Sequence, residues 1–121
     1  MMKANILGAE YEIVFKDYEE DTEFTKRGLC GYCDSIEHII CIGKFQSFPG
    51  WEEETQERCE KQQKLTMRHE IIHAFFSESG LQDSSGVIDD IGWSQNEEMV
   101  DYFAIQFPKI QKVFKDLNID T

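Results

Sequence analysis

The sequence predicts a small α+β domain, in which a sheet of about three strands is followed by two helices packed on one face of that sheet. Three observations favour this fold class. Apolar and polar residues alternate up to Phe15, a run rich in isoleucine spans Ile36–Ile42, and a helical pattern occupies the second half of the chain. With 121 residues, the chain is expected to form one domain over residues 1–121.

The predicted strands all lie before residue 43. A short strand over Ala4–Leu7, a turn at Gly8 and a second alternating strand predict a β-hairpin. The residues that share one face of the second strand are Tyr11, Ile13 and Phe15. The third strand is the run Ile36–Ile42, which ends at Gly43.

The segments between these strands are predicted to be irregular. Residues 17–23 (DYEEDTE) are strongly acidic, which is typical of a solvated loop. Residues 28–35 contain two glycines and several small polar residues, a composition that favours turns.

The predicted helices follow the break at Pro49 and Gly50. The first spans residues 51–79 and ends at Gly80; its charged first half is expected to face water and its apolar second half to be buried. After a polar loop over residues 82–92, the second helix begins at Ser94 with the capping-box pattern Ser94-x-x-Glu97. We expect it to run to Phe107, to be interrupted at Pro108, and to resume as one or two amphipathic turns.

Composition excludes several classes of function. The formal net charge of −12 argues against nucleic-acid binding, which requires clustered basic residues. No apolar run is long enough to span a membrane, and the N-terminal residues lack the apolar stretch of a signal peptide. The expected location is therefore the cytoplasm, where the four cysteines would be thiols or metal ligands.

Residues 69–73 read His-Glu-Ile-Ile-His and lie within the first predicted helix. Positions four apart in a helix are only about 40° apart around its axis, so His69 and His73 point the same way and can bind one Zn²⁺. Glu70 lies at the side of that face, where it can take a proton from a zinc-bound water. The motif thus predicts a zinc site with Glu70 as general base.

The second predicted helix carries Asn96, Glu97, Asp101 and Phe103 in the order N-E-x-x-x-D-x-F. Together with the H-E-x-x-H motif, this pattern resembles the gluzincin metallopeptidases, whose thermolysin-like members carry it on a later helix. The resemblance implies that Glu97 is the third zinc ligand and that Asp101 orients a ligand histidine. Glu97 and Asp101 are themselves four residues apart, so both can face the first helix.

Within that clan, the short chain resembles the ImmA/IrrE-type cytoplasmic metallopeptidases and the small zincin-like proteins of phages and prophages. The resemblance implies a zinc-dependent peptidase in which Glu70 assists the attack of a zinc-bound water on a peptide bond. The implied cofactor is Zn²⁺ and the implied partner is a peptide or protein substrate. We expect a minimal zincin-like fold.

Several assignments have alternatives. Glu98 is a rival third ligand, although it would point about 100° away from Glu97, and Glu97 can instead serve the capping box. His38, predicted to lie within the third strand, can donate a hydrogen bond to the transition state or be an ordinary strand residue. Asp101 can be a solvent-exposed carboxylate.

The cysteines also allow more than one interpretation. Cys30 and Cys33 form a C-x-x-C pair that can belong to a structural zinc site or a redox pair, whereas Cys41 and Cys59 have no matching spacing. Ordinary free thiols are the simplest interpretation.

A different class of function is also compatible with the sequence. An acidic phage-type protein can bind a basic host protein through its charged surface, with zinc serving only to join two helices. Such a structural site would have a fourth protein ligand, for which Asp89, Asp90 and Glu98 are candidates. An enzyme instead needs an open coordination position and an intact Glu70.

Overall fold

The computed structural model describes residues 2–80 and 96–120, which form an α+β fold with a mixed four-stranded sheet. The strands are β1 (Met2–Ile6), β2 (Ala9–Lys16), β3 (Gly31–Asp34) and β4 (Ile39–Gly43). The helices are α1 (Thr22–Thr25), α2 (Gln56–Glu78) and α3 (Glu97–Asp116), with short 3₁₀ turns at Tyr18–Glu20 and Phe45–Ser47. None of the helices in the described part of the chain is long and apolar enough to cross a membrane.

The sheet has the strand order β1-β2-β4-β3. The predicted hairpin is confirmed: β1 and β2 are antiparallel, and the two residues between them, Leu7 and Gly8, have φ angles of 52° and 94°. Left-handed conformations at both positions give the twist that suits a two-residue hairpin. β2 pairs in parallel with β4, and β3 pairs antiparallel with β4 at the edge of the sheet.

The sheet has four strands, so the prediction of about three was one short. The missing strand is β3, which occupies part of the glycine-containing segment that was predicted to be a turn. Gly31 lies in the strand because helix α2 passes very close to it: a Cβ atom there would lie 2.6 Å from Cγ2 of Thr66. Glycine is needed here because of a tertiary contact with α2, and local turn propensity cannot predict such a contact.

The strand predicted over Ile36–Ile42 begins only at Ile39. The Asp34 carboxylate accepts hydrogen bonds from the backbone N–H groups of Ile36 and Glu37, at 3.0 and 2.9 Å, and so stabilises a turn. His38 follows in a left-handed conformation with φ of 58°. His38 therefore lies in the turn before β4, and its predicted position within the strand was wrong.

Helix α2 covers one face of the sheet, and the residues of the connections cover part of the other. The cluster beneath α2 consists of Ile6, Tyr11, Ile13, Ile40, Ile42 and Ala74. The cluster on the other face consists of Phe24, Cys41 and Phe48, with Tyr32 packed against it. Phe24 belongs to α1, and α3 packs against α2, so the helices do not all lie on one face as predicted.

Helix α2 begins five residues later than predicted. Thr55 is its N-cap, with Oγ1 accepting a hydrogen bond of 3.2 Å from the N–H of Arg58. Trp51, the predicted first residue, instead packs edge-on against Phe45, with ring centroids 5.1 Å apart. At the other end, Gly80 has φ of 83°, as expected for a glycine that ends a helix.

Helix α3 begins at Glu97 and continues through Pro108 to Asp116, so the predicted interruption at Pro108 was wrong. Its N-cap is Asn96, whose Oδ1 accepts a hydrogen bond of 2.9 Å from the N–H of Met99. Glu97 is consequently the first residue of the helix. A capping box with Ser94 would require Glu97 to be the third helical residue. Ser94 itself, the loop predicted over residues 82–92, Asp89 and Asp90 lie outside the described residues.

Asp21 stabilises the contact between α1 and the sheet. Its carboxylate accepts hydrogen bonds from the Tyr32 hydroxyl at 2.6 Å, the Glu23 N–H at 2.9 Å and the Lys16 ammonium at 3.3 Å. Burial by itself raises the pKa of Asp21, but these hydrogen bonds and the charge of Lys16 outweigh burial, so the pKa lies below its usual value.

We predict that Asp21→Asn destabilises the protein in a pH-dependent way. A carboxyl group with a lowered pKa stabilises the folded state above its unfolded pKa of about 3.9, and this stabilisation is lost as the pH falls through the folded pKa. The free energy of unfolding of the variant should be about 1.5–3 kcal/mol lower near neutral pH, the range for hydrogen bonds to a charged group. Urea unfolding at several pH values measures this difference.

The difference between wild type and Asp21→Asn should be constant at neutral pH and shrink below the unfolded pKa. Asp120→Asn, which changes an exposed carboxylate, is the matched control and should show no such difference. A difference that stays the same down to the lowest pH at which the protein folds would contradict the role given to Asp21.

Candidate metal centre

Helix α2 carries the two histidines of the H-E-x-x-H motif on one face. Their Nε2 atoms lie 3.2 Å apart, and the rings meet edge-to-face with centroids 4.8 Å apart. Both side chains are largely buried, with 18% of His69 and 15% of His73 exposed. The helix therefore presents two nitrogen donors to one point in space, as the spacing predicts.

Helix α3 brings a carboxylate to the same point. One oxygen of Glu97 lies 3.0 Å from Nε2 of His69, and its other oxygen lies 3.0 Å from Nε2 of His73. Glu97 is the first residue of α3, directly after its N-cap, so the helix start sets the position of this side chain. In the described part of the chain, neither histidine contacts Glu98, which is exposed.

Asp101 orients His69. Its Oδ1 lies 2.7 Å from Nδ1 of His69, which places the proton on Nδ1 and leaves the lone pair of Nε2 facing His73 and Glu97. Burial lowers the pKa of His73, although the nearby Glu97 carboxylate opposes that shift. Neutral imidazoles are the form that binds metal ions.

The donor set matches the requirements of zinc. Two imidazole nitrogens and one carboxylate are a common catalytic zinc set, and at bond lengths near 2.0–2.1 Å neighbouring ligands of a tetrahedral ion are about 3.3 Å apart. The three separations here are 3.0, 3.0 and 3.2 Å. These separations are slightly shorter than that spacing, so an ion would fit after the three donor atoms moved apart by a few tenths of an ångström.

Glu70 lies next to this group and is only 7% exposed. Its carboxylate and the nitrogens of His69 and His73 all lie within 4.8 Å of one another, so Glu70 is a second carboxylate within reach of an ion. No hydrogen bond or ion pair joins it to the described residues. Burial raises the pKa of Glu70 to about 7; the charge of His69 opposes this shift, and the Glu97 carboxylate adds to it.

The carboxylates of Glu97 and Glu70 differ in how they contact the two histidines. Glu97 contacts both histidine nitrogens directly, whereas Glu70 lies on the histidines' own helix, one position after His69 and therefore about 100° around the axis. The geometry thus fits Glu97 as a ligand and Glu70 as a group that faces the open side of the site.

A cleft of about 350 Å³ opens beside these side chains. One wall is formed by His69, Glu70, His73 and Glu97, and the other by residues of β3 and its flanks, namely Leu29, Gly31, Tyr32, Cys33 and Ser35. Among the described residues, β3 is the edge strand of the sheet, and its outer backbone groups pair with no other strand. In the described part of the chain, the site therefore combines side chains that could hold a metal ion with an unpaired strand edge.

Comparisons of the chain with protein-family models, curated proteins and solved structures give no match. The interpretation of this site accordingly depends on its residues and their geometry.

His38 lies away from the cluster. Its Nε2 is 3.3 Å from Oε1 of Glu78, and its ring stacks on Tyr11 with centroids 4.7 Å apart. The Tyr11 hydroxyl also donates a hydrogen bond of 2.7 Å to Glu78. Among the described residues, His38 does not line the cleft, so this structure offers no geometric support for its predicted role as a transition-state donor.

The C-x-x-C pair is divided between the two faces of the sheet. Cys33 packs against the cluster beneath α2, and Cys30 packs against the cluster on the other face. All four cysteines are free, and burial raises the pKa of the Cys33 thiol to about 12. Cys33 lines the cleft but is not part of the group that lies within 4.8 Å, so ordinary thiols fit the geometry best.

Sequence reasoning missed the strand wall of the cleft. Gly31 brings this wall close to the helix, since a Cβ atom there would lie 2.6 Å from Cγ2 of Thr66 and 3.5 Å from Cγ of Glu70. The β-prone residues Tyr32 and Cys33 were the available signal, but two nearby glycines outweighed it. Arg68, which contacts α3, was also missed because an arginine beside the motif has no distinctive spacing.

We predict that the protein binds about one zinc ion per chain and that Glu97→Gln weakens binding by at least about 100-fold. Loss of an orienting carboxylate alone costs about 10–100-fold, and loss of a direct ligand should cost more. Asp101→Asn should therefore give the smaller loss. Competition with a chromophoric chelator measures all three affinities.

Glu98→Gln is the matched control, since it removes the neighbouring carboxylate, which contacts neither histidine. It should leave the zinc affinity unchanged. A loss in Glu98→Gln with none in Glu97→Gln would reverse the assignment of the third ligand.

Proposed function

We propose that this protein is a zincin-like zinc peptidase, in which His69, His73 and Glu97 hold the metal ion. The observation that carries the proposal is the convergence of three donors, 3.0–3.2 Å apart, beside Glu70, which is only 7% exposed, lines the cleft and forms no hydrogen bond with the described residues. When bound, zinc supplies Lewis-acid chemistry that polarises a peptide carbonyl and makes water more acidic.

Glu70 is the proton carrier in this proposal. Its carboxylate is buried at the wall of the cleft, close to both histidines, so it can accept a proton from the attacking water and pass it to the leaving nitrogen. It makes no hydrogen bond with the described residues, so it needs to break none with them in order to act.

Asp101 has a supporting role. It holds the His69 ring through Nδ1 and so keeps Nε2 directed at the shared point. A histidine with a fixed tautomer loses less freedom when it binds an ion, and it is also a more basic ligand.

The edge strand β3 gives the cleft a means of holding a peptide. An extended segment can add to an exposed strand edge through backbone hydrogen bonds, and it would then lie between β3 and the H-E-x-x-H helix. This arrangement favours a peptide or an extended protein segment as substrate.

We predict that Glu70→Gln keeps its zinc but loses at least about 100-fold in peptide cleavage, because general acid–base catalysis typically contributes 10²–10⁴-fold. The assay incubates zinc-loaded protein with a diverse peptide mixture and identifies new termini by mass spectrometry. Zinc per chain is measured on the same samples.

Glu98→Gln serves as the matched control and should cleave as wild type does. Equal cleavage by wild type and Glu70→Gln would contradict the mechanism. A wild type that holds zinc and cleaves nothing would instead favour the alternative, a zinc-stabilised acidic protein that binds a partner.

A further inference from the structure

Pro108 leaves a backbone carbonyl without its usual helical partner. In a continuous helix the N–H of residue 108 would bond to the carbonyl of Ala104, but proline has no N–H and its ring displaces that carbonyl. Ala104 is completely buried, so water does not readily replace the missing bond.

Arg68 supplies the missing donor from the other helix. Its Nε donates a hydrogen bond of 2.6 Å to the carbonyl oxygen of Ala104, which joins α2 to α3. The side chain of Arg68 also lines an apolar groove between the two helices, together with Ile71 and Phe103. Its hydrocarbon part is thus packed while its charged end reaches the carbonyl.

This bond lies next to the proposed metal centre on both helices. Arg68 directly precedes His69, and Ala104 follows Glu97 by two helical turns and Asp101 by one. Residues at these spacings share one face, so the bond is made on the side of α3 that presents Glu97 and Asp101. It restrains α3 both along its axis and in rotation.

We propose that Arg68 is a positioning residue, which uses the carbonyl made available by Pro108 to hold Glu97 and Asp101 against the two histidines. The inference rests on the proposed zinc site. Arg68 contributes no ligand atom; it acts by fixing where α3 lies relative to α2. Pro108 is also required, because a residue with an N–H at this position would donate a hydrogen bond to the Ala104 carbonyl from within α3.

Two variants separate positioning from simple stabilisation. Arg68→Met keeps an apolar stem and removes the donor, so it should lower both the free energy of unfolding and, by on the order of 10-fold, the zinc affinity, as loss of other orienting groups does. Arg68→Met combined with Pro108→Ala restores a hydrogen bond to Ala104 from within α3. The double variant should recover stability but not zinc affinity, because that bond no longer joins the helices.

The measurements are chelator competition for zinc and urea unfolding of the metal-free protein. Arg58→Met is the matched control: it removes an exposed arginine on the same helix that, within the described residues, forms an ion pair with Glu54, and it should leave zinc affinity unchanged.

Zinc affinity equal to wild type in Arg68→Met would overturn the inference. Recovery of zinc affinity together with stability in the double variant would also overturn it, because Arg68 would then serve only to satisfy a carbonyl. A wild type that binds no zinc would overturn the proposed metal site itself, and the inference with it. The two failures are therefore distinguishable.

Discussion

The arrangement of this protein depends on the close contact between helix α2 and strand β3 at Gly31. Thr66 occupies the space that a side chain on Gly31 would need, since a Cβ atom there would lie 2.6 Å from its Cγ2, and Glu70 lies directly beside it. The helix consequently lies close to the sheet, and Glu70 is only 7% exposed beside the strand. A larger residue at position 31 would push the helix away and open the wall of the cleft. Burial of Glu70 and closeness of the edge strand thus have the same cause.

The polar cluster between α2 and α3 is unbalanced in charge. Glu70, Glu97 and Asp101 bring three carboxyl groups near two imidazoles, and burial disfavours protonation of His73. Like charges raise the cost of keeping all three carboxylates ionised in a partly buried site. A divalent cation between His69, His73 and Glu97 would offset this repulsion, which is the physical reason that a metal ion suits the site.

The fold divides stability and chemistry between different layers. The apolar cluster beneath α2 and the aromatic cluster on the other face stabilise the sheet without using the polar site. Helix α3 packs on α2 through small buried residues, Val100 and Ala104, and its polar ends remain accessible. The contacts of Glu97 and Asp101 with the two histidines, and the hydrogen bond from Arg68 to the Ala104 carbonyl, also join α3 to α2.

The sequence by itself determined the features that depend on local spacing. The hairpin, the end of α2 at Gly80, and the common faces of His69 with His73 and of Glu97 with Asp101 all follow from helix or strand periodicity and turn chemistry. Tertiary structure decided the rest. Strand β3 passes directly beneath α2 at Gly31, and Arg68 donates a hydrogen bond to the Ala104 carbonyl that Pro108 leaves without a helical partner. These depend on pairs of residues more than 30 positions apart, which no local pattern can report.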